Sequence, residues 1–355
     1  LNFARKSSAP ALFKRCVENI ACCASTDIES VNVREPGINE VVIKVEACGV
    51  CGTDLHIYEG AEGAAKCEPP TILGHEFSGI VYETGEGVKT LKPGDRVCVD
   101  PNNMCGGCYY CKIGKAHFCE NMIGYGTTTH GGFAEFCTVH KKQVYKIGES
   151  LSFEEGAIAE PIACCIHGMD LTGIKQGDVV VIIGGGTIGL IMLQLVKLSG
   201  ASTIIMIEPV ESKRKTALKL GADIAINPFS QPVIEVMNSC GIVNVDAVIE
   251  CVGRKETMIN AIEYAGKGGT TMLFGLTEPS CTIQFMPFEL FKKEVTVKAS
   301  FINPYTQDRA VSLLNSGRLN VKDLITDIIT LDNINKVFED SYYRSRGKVV
   351  IKPAI

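Results

Sequence analysis

The stretch VVVIIGGGTIGLIMLQLV, residues 179–196, decides the fold. Its unbroken apolar length first suggests a membrane span. The glycine knot in its middle, and Asp178 and Lys197 at its ends, fit a buried strand running into a buried helix instead. Gly184, Gly186 and Gly189 sit where the strand run stops and the helix begins. In that context the first glycine permits a tight turn. The second removes a side chain where a pyrophosphate must approach the backbone, and the third lets helix and sheet pack closely. Thr187 and Ile188 open the helix, so their N–H groups and the helix dipole point at the phosphates. The next apolar run, STIIMIE, ends in Glu208, a carboxylate suited to both hydroxyls of an adenosine ribose and repulsive to a 2′-phosphate. NAD is therefore favoured over NADP, although Lys213 and Arg214 soften the preference.

The surrounding texture divides the chain. Residues 156–298 alternate apolar runs with helical stretches (VVVII, STIIMIE, VDAVIECVG, GTTMLFG), the rhythm of βαβ units on a parallel sheet. Residues 1–155 hold short alternating runs with frequent glycine, such as EVVIKVEAC and FSGIVYETG, which read as a twisted β domain. Residues 299–355 return to mixed segments and end in KVVIKPAI, a predicted strand. The economical account is an α/β nucleotide-binding domain inserted between two parts of one β-rich domain.

Composition sets the limits. A length of 355 residues suits two domains, and a net charge of −5 with interspersed signs argues against nucleic-acid or anionic-membrane binding. No signal peptide is evident in LNFARKSSAPALFKRC. Seventeen cysteines, an odd number in a large chain and many in apolar surroundings, fit a reducing cytosol with metal-bound thiolates better than disulfides.

Two segments carry metal chemistry. CGGCYYCKIGKAHFC supplies Cys105, Cys108, Cys111 and Cys119, four thiols at short intervals. They suit a closed tetrahedral zinc shell with a structural role; unligated or oxidised thiols and an iron–sulfur cluster are the alternatives. CGVCGTDLH supplies Cys51, Thr53, Asp54 and His56, and ILGHEF supplies His75 and Glu76. One thiolate, one imidazole and one carboxylate leave an exchangeable fourth position, as a catalytic zinc requires. The second nitrogen of His75 is expected to meet Asp54.

CGVCGTDLH, LGHEFSGIV, GDRVCVDP, CGGCYYC, GGFAEFC, EPIACC and VVVIIGGGTIG, in this order, resemble the zinc-containing medium-chain dehydrogenase/reductase family from about residue 36 onward. The motif pattern looks closest to its sorbitol/polyol and 2,3-butanediol dehydrogenase branch. The resemblance implies a GroES-like catalytic domain with an inserted Rossmann domain, one catalytic and one structural zinc, NAD, and a cytoplasmic homodimer or homotetramer. It implies zinc ligation by Cys51 and His75, with Glu76 ligating or lying behind the metal. Thr53 would take the substrate proton, His56 would stand at the outer end of a relay, and Asp54 would orient the ligand histidine.

The segment AIAEPIACC, residues 157–165, divides the resemblance. Glu160 before Pro161 looks like the polyol, diol and threonine dehydrogenase branches, whereas Cys164 looks like the alcohol dehydrogenase branch. Both lie four apart on a predicted helix. Glu160 is preferred as the residue completing the site, because a carboxylate can swing aside for a chelating diol; Cys165 is assigned to packing. Tyr58, Glu59, His130 and Phe288 are candidate cleft residues. Polar groups there would suit a polyol or vicinal diol, with a simple alcohol or threonine as the alternative. A phosphorylated polyol would need basic groups, with Lys141, Lys142 and Arg309 as distant options. The first 35 residues depart from the family pattern: the basic start reads as a frayed terminus, and Cys22 and Cys23 as buried thiols.

Overall fold

The computed structural model describes residues 8–15, 25–60, 67–68 and 70–353. They form two compact units. One comprises residues 1–161 with 307–355, and the other residues 162–306. The units change over a little beyond the expected boundaries at 155/156 and 298/299. The strand Thr296–Ala299 is the reason at the second boundary, because it closes the sheet of the inserted unit.

That sheet has six parallel strands: Val179–Ile183, Thr203–Ile207, Ile224–Ile226, Ala247–Glu250, Thr270–Leu273 and Thr296–Ala299. Numbered one to six along the chain, they lie in the order three-two-one-four-five-six. This is the doubly wound Rossmann order, with its switch point between the first and fourth strands. Val180, Val181, Ile182, Val248 and Ile249 are sealed from solvent, as expected for a parallel sheet covered on both faces. The apolar stretch 179–196 therefore resolves into a strand and the helix Thr187–Leu198. Among the described residues no helix is long and apolar enough to cross a membrane.

The other unit is built on a mixed seven-stranded sheet. Its central strand, Glu40–Gly49, pairs antiparallel with Glu76–Thr84 on one side. On the other side it pairs with the C-terminal strand Lys348–Lys352 near its end and with Phe136–His140 near its start. The register sets Gly49 opposite both Glu76 and Val350. Three segments far apart in sequence thus converge at one point. The short helix Gly52–Tyr58 leaves from there, anchored by buried Ile57 and Tyr58. Tyr58, a candidate cleft residue, instead packs its ring 5.0 Å from that of Phe338 in the core.

Ser8–Arg15 pairs antiparallel with Ser25–Asn32, whereas residues 1–7 of the basic start, expected to fray, lie outside the described residues. Cys22 and Cys23 lie outside the described residues.

Phe338 is fully buried between Tyr58 and Phe133. Phe338→Ala is expected to cost about 3–5 kcal/mol through the cavity it leaves. The check is the urea midpoint followed by circular dichroism, which should fall well below that of the parent.

Candidate active site

Sulfur, imidazole nitrogen and carboxylate oxygen of Cys51, His75 and Glu76 lie within 4.8 Å of one another. Each is placed by backbone structure. Cys51 is the N-cap of the helix Gly52–Tyr58, and its N–H donates to Asp54 Oδ2 at 2.8 Å. His75 follows Gly74, whose φ of +92° turns the chain; a Cβ there would strike Phe133 and Cys48. Glu76 begins the strand paired with Gly49, and a Cβ on Gly49 would come within 2.2 Å of Glu76 Oε2. The glycine therefore leaves the room that the carboxylate fills.

The electrostatics are those of a buried anion cluster. Asp54 is fully buried, and its Oδ1 lies 3.3 Å from His75 Nδ1, too poorly aligned to count as a hydrogen bond. Burial works to lower the His75 pKa, but the Asp54 carboxylate and the Cys51 sulfur outweigh it and hold the imidazole well above its ordinary value. With Nδ1 turned to Asp54, Nε2 is the nitrogen left to face a metal.

Sequence reasoning missed a central member of this cluster. Lys348 is buried, and its ammonium donates to Glu76 Oε1 at 2.8 Å, to Glu76 Oε2 at 2.7 Å and to the Val50 carbonyl at 2.9 Å. Burial pulls the Lys348 pKa down, but Glu76, Cys51 and Glu160 together hold it above the usual lysine range. The only sequence signal was a lysine at the start of an otherwise apolar terminal strand.

Glu160 lies at the start of the helix Ala159–Thr172 and is buried. It falls outside the tight three-residue cluster, yet its charge acts on Lys348. Glu160 belongs to the same compact unit as Cys51 and His75, whereas Cys164, half-buried one turn further on, belongs to the other unit. Cys165 is fully buried. Thr53 and His56 are both half-buried on the helix that Cys51 caps. Of the remaining candidates, Glu59 and Phe288 are exposed, and His130 accepts the Ile72 N–H at 3.2 Å.

Cys105, Cys108, Cys111 and Cys119 also bring their sulfurs within 4.8 Å of one another. The N–H groups of Gly107 and Cys108 pull the Cys105 thiol down to about 6, while burial and Cys108 push Cys111 up to about 12. Four thiols crowded this closely lose protons together only when a cation balances them, so this donor set fits a zinc ion. The cluster of Cys51, His75 and Glu76 fits one on the same ground.

In the inserted unit the glycine turn has the geometry a dinucleotide needs. Gly184 has φ +102°, and a Cβ on Gly189 would come within 1.8 Å of the Gly184 carbonyl. A Cβ on Gly186, the N-cap of the helix Thr187–Leu198, would meet nothing within 4 Å. That space is open for a phosphate, with Thr187 and Ile188 at the helix start. Glu208 is buried, and its two oxygens accept the N–H groups of Gly185 at 2.7 Å and Val210 at 2.8 Å. Lys213 is half-buried on the helix Glu211–Leu220. Arg214 donates to the carbonyls of Glu208 and Pro209.

Residues 37–149 match the alcohol dehydrogenase GroES-like domain, and residues 187–316 match the zinc-binding dehydrogenase domain. L-threonine 3-dehydrogenase of Pyrococcus horikoshii is 36% identical over 91% of this chain and 94% of its own. Sorbitol dehydrogenase of Gallus gallus is 32% identical over 92% of each. The chain belongs to the zinc-dependent medium-chain dehydrogenase family. Among solved structures, a zinc-binding dehydrogenase of Sinorhizobium meliloti 1021 bound to NADP is 37% identical. It superposes with a TM-score of 0.91 over 98% of this chain and 100% of its own. Family, metal clusters and nucleotide fold together make this medium-chain dehydrogenase an NAD-dependent zinc enzyme.

Removing the ammonium should expose the cost of the buried charge. Lys348→Met is expected to destabilise the protein by about 3–5 kcal/mol, because it strands the Glu76 carboxylate. Adding Glu76→Leu should restore much of that loss. Chemical denaturation of the two variants checks both steps.

Proposed function

We propose that the enzyme oxidises a secondary alcohol flanked by a polar group, with the β-hydroxy amino acid L-threonine ahead of polyols. The observation that carries the reaction class is the buried cluster of Cys51, His75 and Glu76. Support for the substrate order comes from the relatives: several named L-threonine 3-dehydrogenase are 34–36% identical, above the 32% of the sorbitol dehydrogenases. The polyol reading, which the sequence motifs favoured, is kept as second on the strength of the sorbitol dehydrogenases.

In this proposal Cys51, His75 and Glu160 hold the catalytic zinc. Glu76, sharing its charge with Lys348, would lie behind that ligand set, and the four-cysteine lobe would hold a structural zinc. When bound, zinc supplies Lewis-acid polarisation of the alcohol oxygen, and NAD supplies the hydride acceptor. The residues of this chain do the rest. Asp54 fixes the tautomer of His75. Thr53 accepts the hydroxyl proton, and His56, three positions on along the same helix face, passes it towards water. Glu208, held rigid by two backbone N–H groups, receives the adenosine ribose and disfavours a 2′-phosphate. Thr187, Ile188 and Lys213 complete the nucleotide contacts. A homodimer or homotetramer in the cytosol is part of the same reading.

The test is NADH absorbance with L-threonine, sorbitol, D-arabinitol, 2,3-butanediol and ethanol, on enzyme with its zinc content measured. L-threonine should give the highest kcat/KM; no turnover of any of them by zinc-loaded enzyme sinks the substrate reading. Glu160→Gln is expected to lose roughly a hundredfold or more in turnover. Cys164→Val should keep its zinc. Zinc lost from Cys164→Val and retained by Glu160→Gln would transfer the ligand role to Cys164.

A further inference from the structure

The inserted sheet carries a second buried carboxylate at its carboxyl edge that the reaction above does not use. Glu250 ends the fourth strand, Ala247–Glu250, which pairs directly with the first, Val179–Ile183, at the switch point. Its exposure is 0%. One carboxylate oxygen, Oε1, accepts three hydrogen bonds: from Val252 N at 2.8 Å, from Gly253 N at 2.9 Å and from Thr257 Oγ1 at 2.7 Å. The other, Oε2, is buried and has no hydrogen-bond partner among the described residues. The Glu250 carbonyl accepts two more bonds, from Phe274 N and Gly275 N, each at 2.9 Å.

One residue therefore ties together the exits of two adjacent strands. The exits touch backbone to backbone: a Cβ on Gly253 would lie 2.2 Å from the Leu276 carbonyl, and one on Gly275 would lie 2.2 Å from Gly253 N and 2.7 Å from Glu250 Oε2. The turn that Glu250 holds also reaches the glycine knot. Cys251 N donates to Ile183 O at 2.9 Å, and Val252 Cγ2 stands 2.7 Å from where a Cβ on Gly184 would be. Val252 is 39% exposed, so its side chain is part of the surface beside Gly184.

We infer that Glu250 is a positioning residue for the cofactor: by holding the Val252–Gly253 turn against Gly184, it fixes the wall of the crevice opposite Glu208. This rests on NAD binding at the carboxyl edge of the sheet. Glu208 and Glu250 flank the glycine turn from the second and fourth strands, so the two carboxylates divide the work. Glu208 serves the adenosine half, and Glu250 shapes the nicotinamide half without touching it.

The division gives a test that general loosening of the fold would not pass. Zinc-loaded parent, Glu250→Ala, Glu250→Gln and Val252→Ala are titrated with NADH by fluorescence and with 5′-AMP by calorimetry. Glu250→Ala should weaken NADH about tenfold and leave AMP within twofold. Glu250→Gln keeps a carbonyl oxygen for the three donors and should bind NADH within about threefold of the parent. Val252→Ala, which leaves the carboxylate in place, should weaken NADH about threefold, and it carries the test should Glu250→Ala not fold. Unchanged NADH binding in Glu250→Ala or Val252→Ala overturns the inference. Equal losses of NADH and AMP do so too, as does a glutamine variant as weak as the alanine one. A parent that binds neither ligand overturns the NAD reading itself.

Discussion

The ion pair between Lys348 and Glu76 is the constraint on which the catalytic unit turns. A buried carboxylate needs a partner, and separating the pair strands a charge in a low-dielectric interior. The partner here comes from the last strand of the chain, 272 residues from Glu76. That strand can deliver it only by pairing with Glu40–Gly49 in a register that sets Val350 opposite Gly49. The same register sets Glu76 opposite Gly49 from the other side. The return of the chain to its first domain is thus required by the charge balance of the site as well as by the sheet. Cys51 as thiolate, Asp54, Glu76 and Glu160 bring four negative charges, and Lys348 returns one. A divalent ion would offset two of the three negative charges left over, which favours a cation at a buried cluster of this composition.

The inserted unit meets the same demand differently. Glu208 and Glu250 are buried at the ends of strands that flank the first, and no ammonium neutralises them through a hydrogen bond among the described residues. Backbone N–H groups of the turns that follow supply most of the donors instead. A carboxylate satisfied this way fixes the turn it accepts from, since moving the turn would cost the bonds. The consequence is a rigid rim around the glycine knot, made from two strands ending in apolar-apolar-Glu: MIE and VIE.

This explains what could be read from the sequence and what could not. The glycine knot, the four-cysteine lobe and the CGVCGTDLH and LGHEF segments are local: their meaning lies in spacing over a dozen residues or fewer, and spacing is visible in a string. The Rossmann alternation is legible for the same reason, because strand and helix periods repeat within short windows. Lys348 was not legible, since nothing in KVVIKPAI distinguishes a lysine aimed at a carboxylate from one at a strand edge. Only the pairing with Glu40–Gly49 decides it. Glu250 passed unremarked because VIECVG reads as a buried strand, and a carboxylate ending such a strand announces itself only through the donors around it. Tyr58 is a candidate for the cleft by its place after the relay segment, but Phe338, distant in sequence, takes it into the core. The substrate is hardest of all, because selectivity belongs to side chains that no single segment contains.

Asp54 shows how little freedom the candidate metal site retains. It accepts the N–H of Cys51 with one oxygen and turns the other to Nδ1 of His75, so a single carboxylate sets the position of two donors from different segments. Asp54 is itself fixed by its helix. That helix is only two turns long and too short to persist alone, so its stability comes from Ile57 and Tyr58 packing into the core. The path from Phe338 to Tyr58, along the helix to Asp54 and out to His75 runs through buried residues and ends at half-buried Cys51. A donor set held this way would meet a metal with little reorganisation. Glu160, Thr53 and His56 lie outside that tight cluster.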